Sequence, residues 1–450
     1  MASLYSYIME YKRFGKFFKQ SFSEIKKTEF FSNEMLQEIQ FSRLKSFIDY
    51  AFKNSSYYQK IFRENNVNPN LINSFSDLKK LPILTKEDIR QNAEKISCKK
   101  FFKKTIDVKT SGTTGKPLKL VITEDSFQLD QAYQQLLYSW YGFNKKTKMA
   151  KCAGQAVTPI EKNKPPFWVT DFYNNNIYLS SYHLTENNLR FYINKLKNFC
   201  PEIIEGYPSS IYLLALANNK FQAQIRPKFI RTGSETLLDH HRNVIEESFR
   251  CNIHNYYGSG ENCVTAIECP KGKMHLQMLY GYTELINNEG KDAKPGEVAK
   301  IIATGFSNYA FPLIRYDIGD LAILSDVQTC DCGRGGILLD NILGRDDDYL
   351  LTPEYRIVRR LGHIFNNIEG VINAQIIQDD IEEVIFKIVK DHNYNNESEI
   401  QVLKNARERI GREINIRILY VNDIPRQKNG KFKYIVSNID KELFGEKLKK

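Results

Sequence analysis

Leu4, Ile8, Tyr11, Phe14, Phe18 and Phe22 recur at near-helical spacing, with Lys12, Arg13, Lys16 and Lys19 set among them. The pattern predicts a basic, aromatic amphipathic helix at the start of the chain. Two placements are open: the apolar stripe packs on the body of the protein, or it lies on a membrane surface. Leu36, Ile39, Phe47, Ile48 and Ala51 continue as a second amphipathic helix, and a loop follows around Leu81-Pro82-Ile83-Leu84-Thr85-Lys86. From Val108 onward short β-like runs alternate with helical ones, the signature of an α/β core. In one such unit a helix carrying Leu238, Val244, Ile245 and Phe249 precedes a strand over 253–257 and a glycine turn. The clearest boundary is Gly344-Arg345-Asp346-Asp347-Asp348. Beyond it, strands are predicted over 371–378, 383–389 and 414–421, with a helix over 399–411. The expected organisation is a large α/β domain over 1–343, a hinge at 344–348 and a small α+β domain over 349–450.

The chain of 450 residues, 42% hydrophobic and 26% charged, can bury a substantial core. No apolar run approaches the roughly 18 residues of a membrane span, and the N-terminus is too aromatic and charged for a secretory signal. The expectation is a soluble cytoplasmic protein. A net charge of +11 reads first as a lysine-rich surface. No nucleic-acid-binding signature accompanies it, so nucleic acid is not an expected partner. The eight cysteines are expected to be reduced thiols or metal ligands rather than a disulfide framework. Cys98, Cys152, Cys200 and Cys251 have no evident partners and are assigned to the core, and no local base marks Cys263 as a nucleophile.

Four motifs carry chemistry. Thr110-Ser111-Gly112-Thr113-Thr114-Gly115-Lys116-Pro117 follows a strand-like segment. Its glycines let backbone approach an anion, while its hydroxyls, amides and ammonium can donate to phosphate oxygens. The spacing between its glycines and the proline after its lysine exclude a Walker A loop. In Tyr257-Gly258-Ser259-Gly260-Glu261 an aromatic ring and a carboxylate flank a turn, suited to a base and a cation. In Arg315-Tyr316-Asp317-Ile318-Gly319-Asp320 the last carboxylate can accept from ribose hydroxyls. Pro425-Arg426-Gln427-Lys428-Asn429-Gly430-Lys431 sets a lysine on a glycine turn. Each of the last three, alone, also reads as an ordinary turn or solvated loop.

Taken in order, these motifs resemble the acyl- and aryl-adenylating superfamily. The similarity is greater to its phenylacetate–coenzyme A ligase-like branch, which includes members associated with capsule and surface-polysaccharide biosynthesis. That resemblance is carried by Leu81-Pro82-Ile83-Leu84-Thr85-Lys86, Glu205-Gly206-Tyr207-Pro208-Ser209, Phe311-Pro312-Leu313-Ile314-Arg315-Tyr316 and Ile424-Pro425-Arg426. It spans nearly the whole chain, and is weakest at the start and across 142–182. It implies a multi-layer adenylation domain with a mobile C-terminal lid, ATP and Mg²⁺ as requirements, and a carboxylic acid as substrate. The acceptor is coenzyme A or, alternatively, an amine. A non-catalytic nucleotide-binding scaffold is the third reading.

By resemblance, Thr110, Ser111, Gly112, Thr113, Thr114, Gly115 and Lys116 hold the ATP phosphates. Gly233, Ser234, Glu235, Tyr257 and Gly258 border the adenine, Asp320 binds the ribose, and Arg345 contacts the nucleotide. Glu261 helps hold Mg²⁺, Asp347 is the hinge, and Lys431 stabilises charge during adenylation. Trp140, Tyr141, Tyr207 and His254 are acyl-pocket candidates, each of which also reads as a core aromatic. Two departures stand out: Gly260 replaces the usual Thr or Ser before the glutamate, and Arg359-Arg360-Leu361 puts unexpected charge after the hinge. Cys269, His275, Cys330 and Cys332 form a possible Cys₃His zinc set, similar to one found in some members of the branch. A homodimer is the default oligomer.

Overall fold

The computed structural model describes residues 2–109, 118–144, 146–346, 348–354, 356–359, 361–365, 368–427 and 429–439. The chain forms two compact units. The first comprises residues 1–147, 171–174 and 254–343, and the second 148–170, 175–253 and 344–450.

In the first unit, strands run in the order Gly281–Ile286, Val298–Gly305, Tyr316–Leu324, Ile337–Arg345, Met274–Leu276, Thr265–Glu268 and Ile253–Gly258. The helix Asn33–Asn54 starts at Ser32, whose hydroxyl accepts the Met35 N–H, and buries Leu44, Phe47, Ile48 and Ala51. Those side chains share one core with Leu84, Ile301, Ile314 and Tyr316. The N-terminal aromatic pattern is two helices rather than one, Ala2–Arg13 and Lys16–Thr28. At the break, a Cβ on Gly15 would meet the Gln128 amide at 2.6 Å. The first helix also departs from a stripe packed inward: Leu4, Ile8 and Tyr11 are exposed.

The strand Tyr316–Leu324 is not regular. Lys300 pairs with Leu321 but Ile302 with Asp317, so Ile301 faces a stretch two residues longer than itself, Ile318 to Asp320. Gly319 takes φ +79°, and its N–H is held by Asp317 Oδ1 at 2.8 Å. The motif read as a turn is therefore an extended β-bulge, which re-aims Asp320.

In the second unit, Ile203–Gly206 lies between Met149–Cys152 and Phe229–Gly233, all parallel, with Asn176–Leu179 beyond Met149–Cys152. Helices Leu189–Phe199, Pro208–Lys220 and Asp239–Phe249 connect and cover these strands. The C-terminal part pairs Val371–Gln378 antiparallel to Glu383–Lys390, with Asn415–Tyr420 and Ile435–Ser437 added parallel on either side. The helix Asn396–Ile410, capped by Asn395, packs Val402, Ala406 and Ile410 into a core with Phe386 and Ile388.

Two cysteines depart from their core assignment. Cys200 is exposed at the left-handed end of the helix Leu189–Phe199, and Cys251 is half-buried, whereas Cys98 and Cys152 are buried. Among the described residues, no helix is long and apolar enough to cross a membrane.

Candidate active site

The first unit brings two carboxylates to one place. The strand Ile253–Gly258 ends at Tyr257, whose hydroxyl donates to Asp320 Oδ2 at 2.7 Å. The turn that follows buries Glu261, which accepts from the Tyr316 hydroxyl at 3.0 Å. Burial pushes the Glu261 carboxyl up and Asp320 adds to it, while Lys86 and the Tyr316 hydrogen bond oppose the rise. Burial and the adjacent Asp320 also hold the Tyr257 phenol well above its ordinary value. A desolvated carboxylate beside a second one is a place where a cation lowers the energy of the ionised form. Beneath the turn Cys263 is buried, and burial pushes its thiol up, which favours the protonated form.

Arg315, next to this pair, is structural. It sits at φ +50° and forks onto Glu284 with Nε–Oε2 2.9 Å and Nη2–Oε1 3.0 Å. Its Nη1 donates to the carbonyls of Lys79 and Leu81. Leu84 N–H donates to Arg315 O and Asp317 N–H to Leu84 O, both at 2.9 Å. This clamp fixes the Leu81–Lys86 loop against the Tyr316 strand and brings Lys86 into the field of Glu261. Neither Lys86 nor Arg315 is given a role of its own from sequence, although both lie in segments that carry the resemblance, and Glu284 lies in none of them.

In the second unit, the turn bearing Lys431 is seated by buried polar groups. Gly430 N–H donates to Gln427 O and Lys431 N–H to Asn429 Oδ1. Phe432 N–H donates to Glu235 Oε1 at 2.6 Å, and Ser209 N–H to Glu235 Oε2 at 3.3 Å. Arg426 Nη1 donates to Ser209 Oγ at 2.8 Å and lies 3.9 Å from Glu235. Burial pushes the Glu235 carboxyl up and Arg426 draws it down. Its carboxylate is thus engaged with the C-terminal turn. Tyr207 donates its hydroxyl to Asn429 O at 3.2 Å. The seat closes on Gly154, where a Cβ would meet Asn429 O at 1.9 Å and the Tyr207 hydroxyl at 2.3 Å. Gly154 was missed from sequence because the resemblance is weakest there.

Of the remaining assigned residues, Gly233 ends the strand Phe229–Gly233 and Ser234 follows at φ +67°. Gly258 ends its strand and Arg345 ends Ile337–Arg345. Thr110, Ser111, Gly112, Thr113, Thr114, Gly115, Lys116 and the hinge residue Asp347 lie outside the described residues. Next to that position, Arg359 Nη2 pairs with Asp346 Oδ1 at 2.5 Å, which accounts for the first of the two unexpected arginines. Tyr141 and His254 are partners, Oη to Nδ1 at 3.1 Å. Trp140 lies apart from them in its contacts, with the Arg334 guanidinium 4.2 Å over its ring.

The four candidate metal ligands of the first unit converge, all donor atoms lying within 4.8 Å of one another. Cys269 Sγ is 3.7 Å from Cys330 Sγ, and Cys332 Sγ is 3.4 Å from His275 Nε2. Tetrahedral zinc with ordinary Zn–S and Zn–N bonds requires edges of about 3.8 Å and about 3.5 Å, so the set fits. Because a carbonyl only accepts, the 3.1 Å contact to Gly335 O makes His275 Nδ1 the donor and leaves Nε2 for a metal.

The profile described as the CapK C-terminal domain matches residues 350–438. The chain is 30% identical over 430 residues to Protein CapK of Staphylococcus aureus, covering 94% of each. It is 22% identical over 464 residues to the phenylacetate-coenzyme A ligase of Thermus thermophilus, covering 90% of this chain and 96% of that one. Among solved structures, 2-hydroxyisobutyryl-CoA ligase in the postadenylation state, in complex with R3-HIB-AMP, matches with a TM-score of 0.72 at 16% identity, over 94% of both chains.

Proposed function

Since the chain belongs to the CapK family, on the phenylacetate–coenzyme A ligase-like branch of the adenylate-forming superfamily, we propose that it activates a carboxylic acid with ATP and passes the acyl group to coenzyme A. It is an adenylate-forming ligase with the fold of that superfamily. The observation that carries the reading is buried Glu261 beside half-buried Asp320, each oriented by a tyrosine hydroxyl. Glu261 is the residue to hold Mg²⁺, and Asp320 accepts from the ribose hydroxyls. A carboxylate has no good leaving group, and attack on the α-phosphate of ATP gives the mixed anhydride and releases pyrophosphate. The charge that develops calls for donors fixed in advance, the role of the 110–116 loop and of Lys431. Mg²⁺ supplies charge neutralisation at the phosphates. The domain boundary at 344–348 serves as the hinge, with the C-terminal domain as lid.

Cys269, His275, Cys330 and Cys332 hold a structural zinc in this reading, closed to solvent chemistry by four protein ligands. A cytoplasmic setting supplies ATP, coenzyme A and the reduced thiols that such a site needs. The alternative acceptor is an amine, which would give an amide in place of a thioester.

The test is ATP–pyrophosphate exchange over aromatic, fatty, amino and sugar acids, followed by acceptor assays with coenzyme A and with amines. Acid-dependent exchange that requires Mg²⁺ and is lost in Lys431→Ala supports adenylation, and thioester formation supports coenzyme A. Amide without thioester would move the assignment to the amine. ATP binding with no exchange under any acid would leave a scaffold.

A further inference from the structure

The helix Ala2–Arg13 is mounted with its apolar side outward. Leu4, Tyr7, Ile8 and Tyr11 fall within an arc of about 100° on the helix. All four face solvent, Leu4 at 64% and Tyr11 at 70% exposure, while among the described side chains of the helix the small polar Ser6 is buried. The segment at 171–174 adds to the same surface. Phe172 N–H donates to Ser3 Oγ at 3.1 Å, and the Tyr173 ring packs edge-on against Tyr7 at 5.5 Å. Phe172 is 81% exposed and Tyr173 45%. Exposed Lys12 follows Ile8 at i,i+4 on the same helix, and Lys16 and Lys19 are exposed at the start of the next helix, with Arg13 between and Glu10 the acid on the first helix.

A helix that completes a core buries its stripe, and a water-facing helix carries polar residues there. This surface does neither. Aliphatic and aromatic side chains presented together, rimmed by lysines, match the boundary between headgroups and acyl chains of an anionic bilayer. There the apolar side chains leave water, and the cations meet lipid phosphates. The cationic rim selects an anionic surface over a neutral one. We propose that this face docks the protein on an anionic lipid surface as a peripheral contact, independently of the ligase site.

The test is sedimentation of the full chain with mixed phosphatidylglycerol–phosphatidylcholine vesicles and with phosphatidylcholine vesicles. Binding is expected to the anionic vesicles only, and to weaken as salt is raised. Ile8→Glu with Phe172→Glu, and separately Lys12→Glu with Lys16→Glu, should each lower partition roughly tenfold or more. Pyrophosphate exchange should be unchanged in both, which reports that they fold. In Phe172→Trp, the added fluorescence should shift to the blue on anionic vesicles. Failure of the unaltered chain to bind anionic vesicles, or equal binding by Ile8→Glu with Phe172→Glu, overturns the proposal. So does a concentration-dependent dimer that Ile8→Glu abolishes, because it assigns the face to a second copy.

Discussion

Tyr257 and Asp320 approach from separate strands, and the phenol donates to the carboxylate at 2.7 Å. The bond holds Asp320 in one orientation before any ligand arrives, and burial, with the neighbouring charge, keeps the phenol protonated as the donor. Tyr257→Phe keeps the ring and removes only the donor. KM for ATP in pyrophosphate exchange should rise roughly five- to tenfold, equivalent to about 1 kcal/mol, with melting temperature nearly unchanged. An unaltered KM would show that Asp320 does not depend on Tyr257.

Gly154→Ala tests the seat of the Lys431 turn. The added methyl meets the backbone carbonyl of Asn429, which cannot move aside as a flexible side chain would. Exchange should fall by roughly two orders of magnitude through misplacement of Lys431. ATP binding, measured by calorimetry, should persist. Near-normal exchange would mean that the turn reaches its working position by another route.

Arg315→Lys retains the charge but loses the planar fork that grips both Glu284 oxygens. A buried pair broken in this way costs about 3 kcal/mol. Denaturant unfolding should register most of that loss, and exchange should weaken in parallel because the Leu81–Lys86 loop loses its clamp. Stability within experimental error of the unaltered chain would show that lysine replaces the clamp.

His241 gives the second unit a pH dependence. It stacks on Tyr212 at 4.2 Å, meets Tyr434 Oη at 3.4 Å and lies beside His240, with Arg426 in its field. Burial first, then the positive charges of His240 and Arg426, hold its folded pKa well below 6.5. Between that value and 6.5 the unfolded chain carries the extra proton, so this contribution is intact above 6.5 and is lost as pH falls through that window. Relative to His241→Phe, the unaltered protein should lose stability as pH falls from about 7.5 to about 5.5. Parallel pH profiles of unfolding for the two proteins would contradict this.

The zinc assignment predicts about one zinc per chain by elemental analysis, and none in Cys332→Ser. Loss of metal should also release Arg334, which lies between the rings of Trp140 and Phe30 and pairs with Glu29 at 2.7 Å. Melting temperature should fall by several degrees, and proteolysis near Phe30 should accelerate. Metal-free protein with unchanged stability would leave the cluster as four reduced side chains.

Much of this was legible because it is local. The strand 371–378 has the bounds expected from its alternation, and the Cys/His set converges as its residue types suggested. What was hidden depends on partners far apart in sequence. Glu235 is assigned to the nucleotide border by resemblance, and nothing in the sequence indicates that Phe432, 197 residues away, donates to it. Arg315 reads as part of a motif until Glu284 takes two of its three guanidinium nitrogens. The placement of the first helix's stripe stays open for a different reason: periodicity gives the side of a helix that is apolar, not the side that meets the protein.

The bulge before Asp320 makes the length of this segment as informative as its letters. Its excess over the facing strand is two residues, an even number, so the stretches on either side keep the same pleat. Delete Gly319 alone and the parity inverts, turning either Tyr316 away from Glu261 or Leu321 out of the core. Delete two residues and the pleat is restored, but the projection that carries Asp320 to Tyr257 is gone. Conservative substitution is therefore a milder perturbation here than any change in residue count, and a chain shortened at this point would keep a sheet while losing the carboxylate pair.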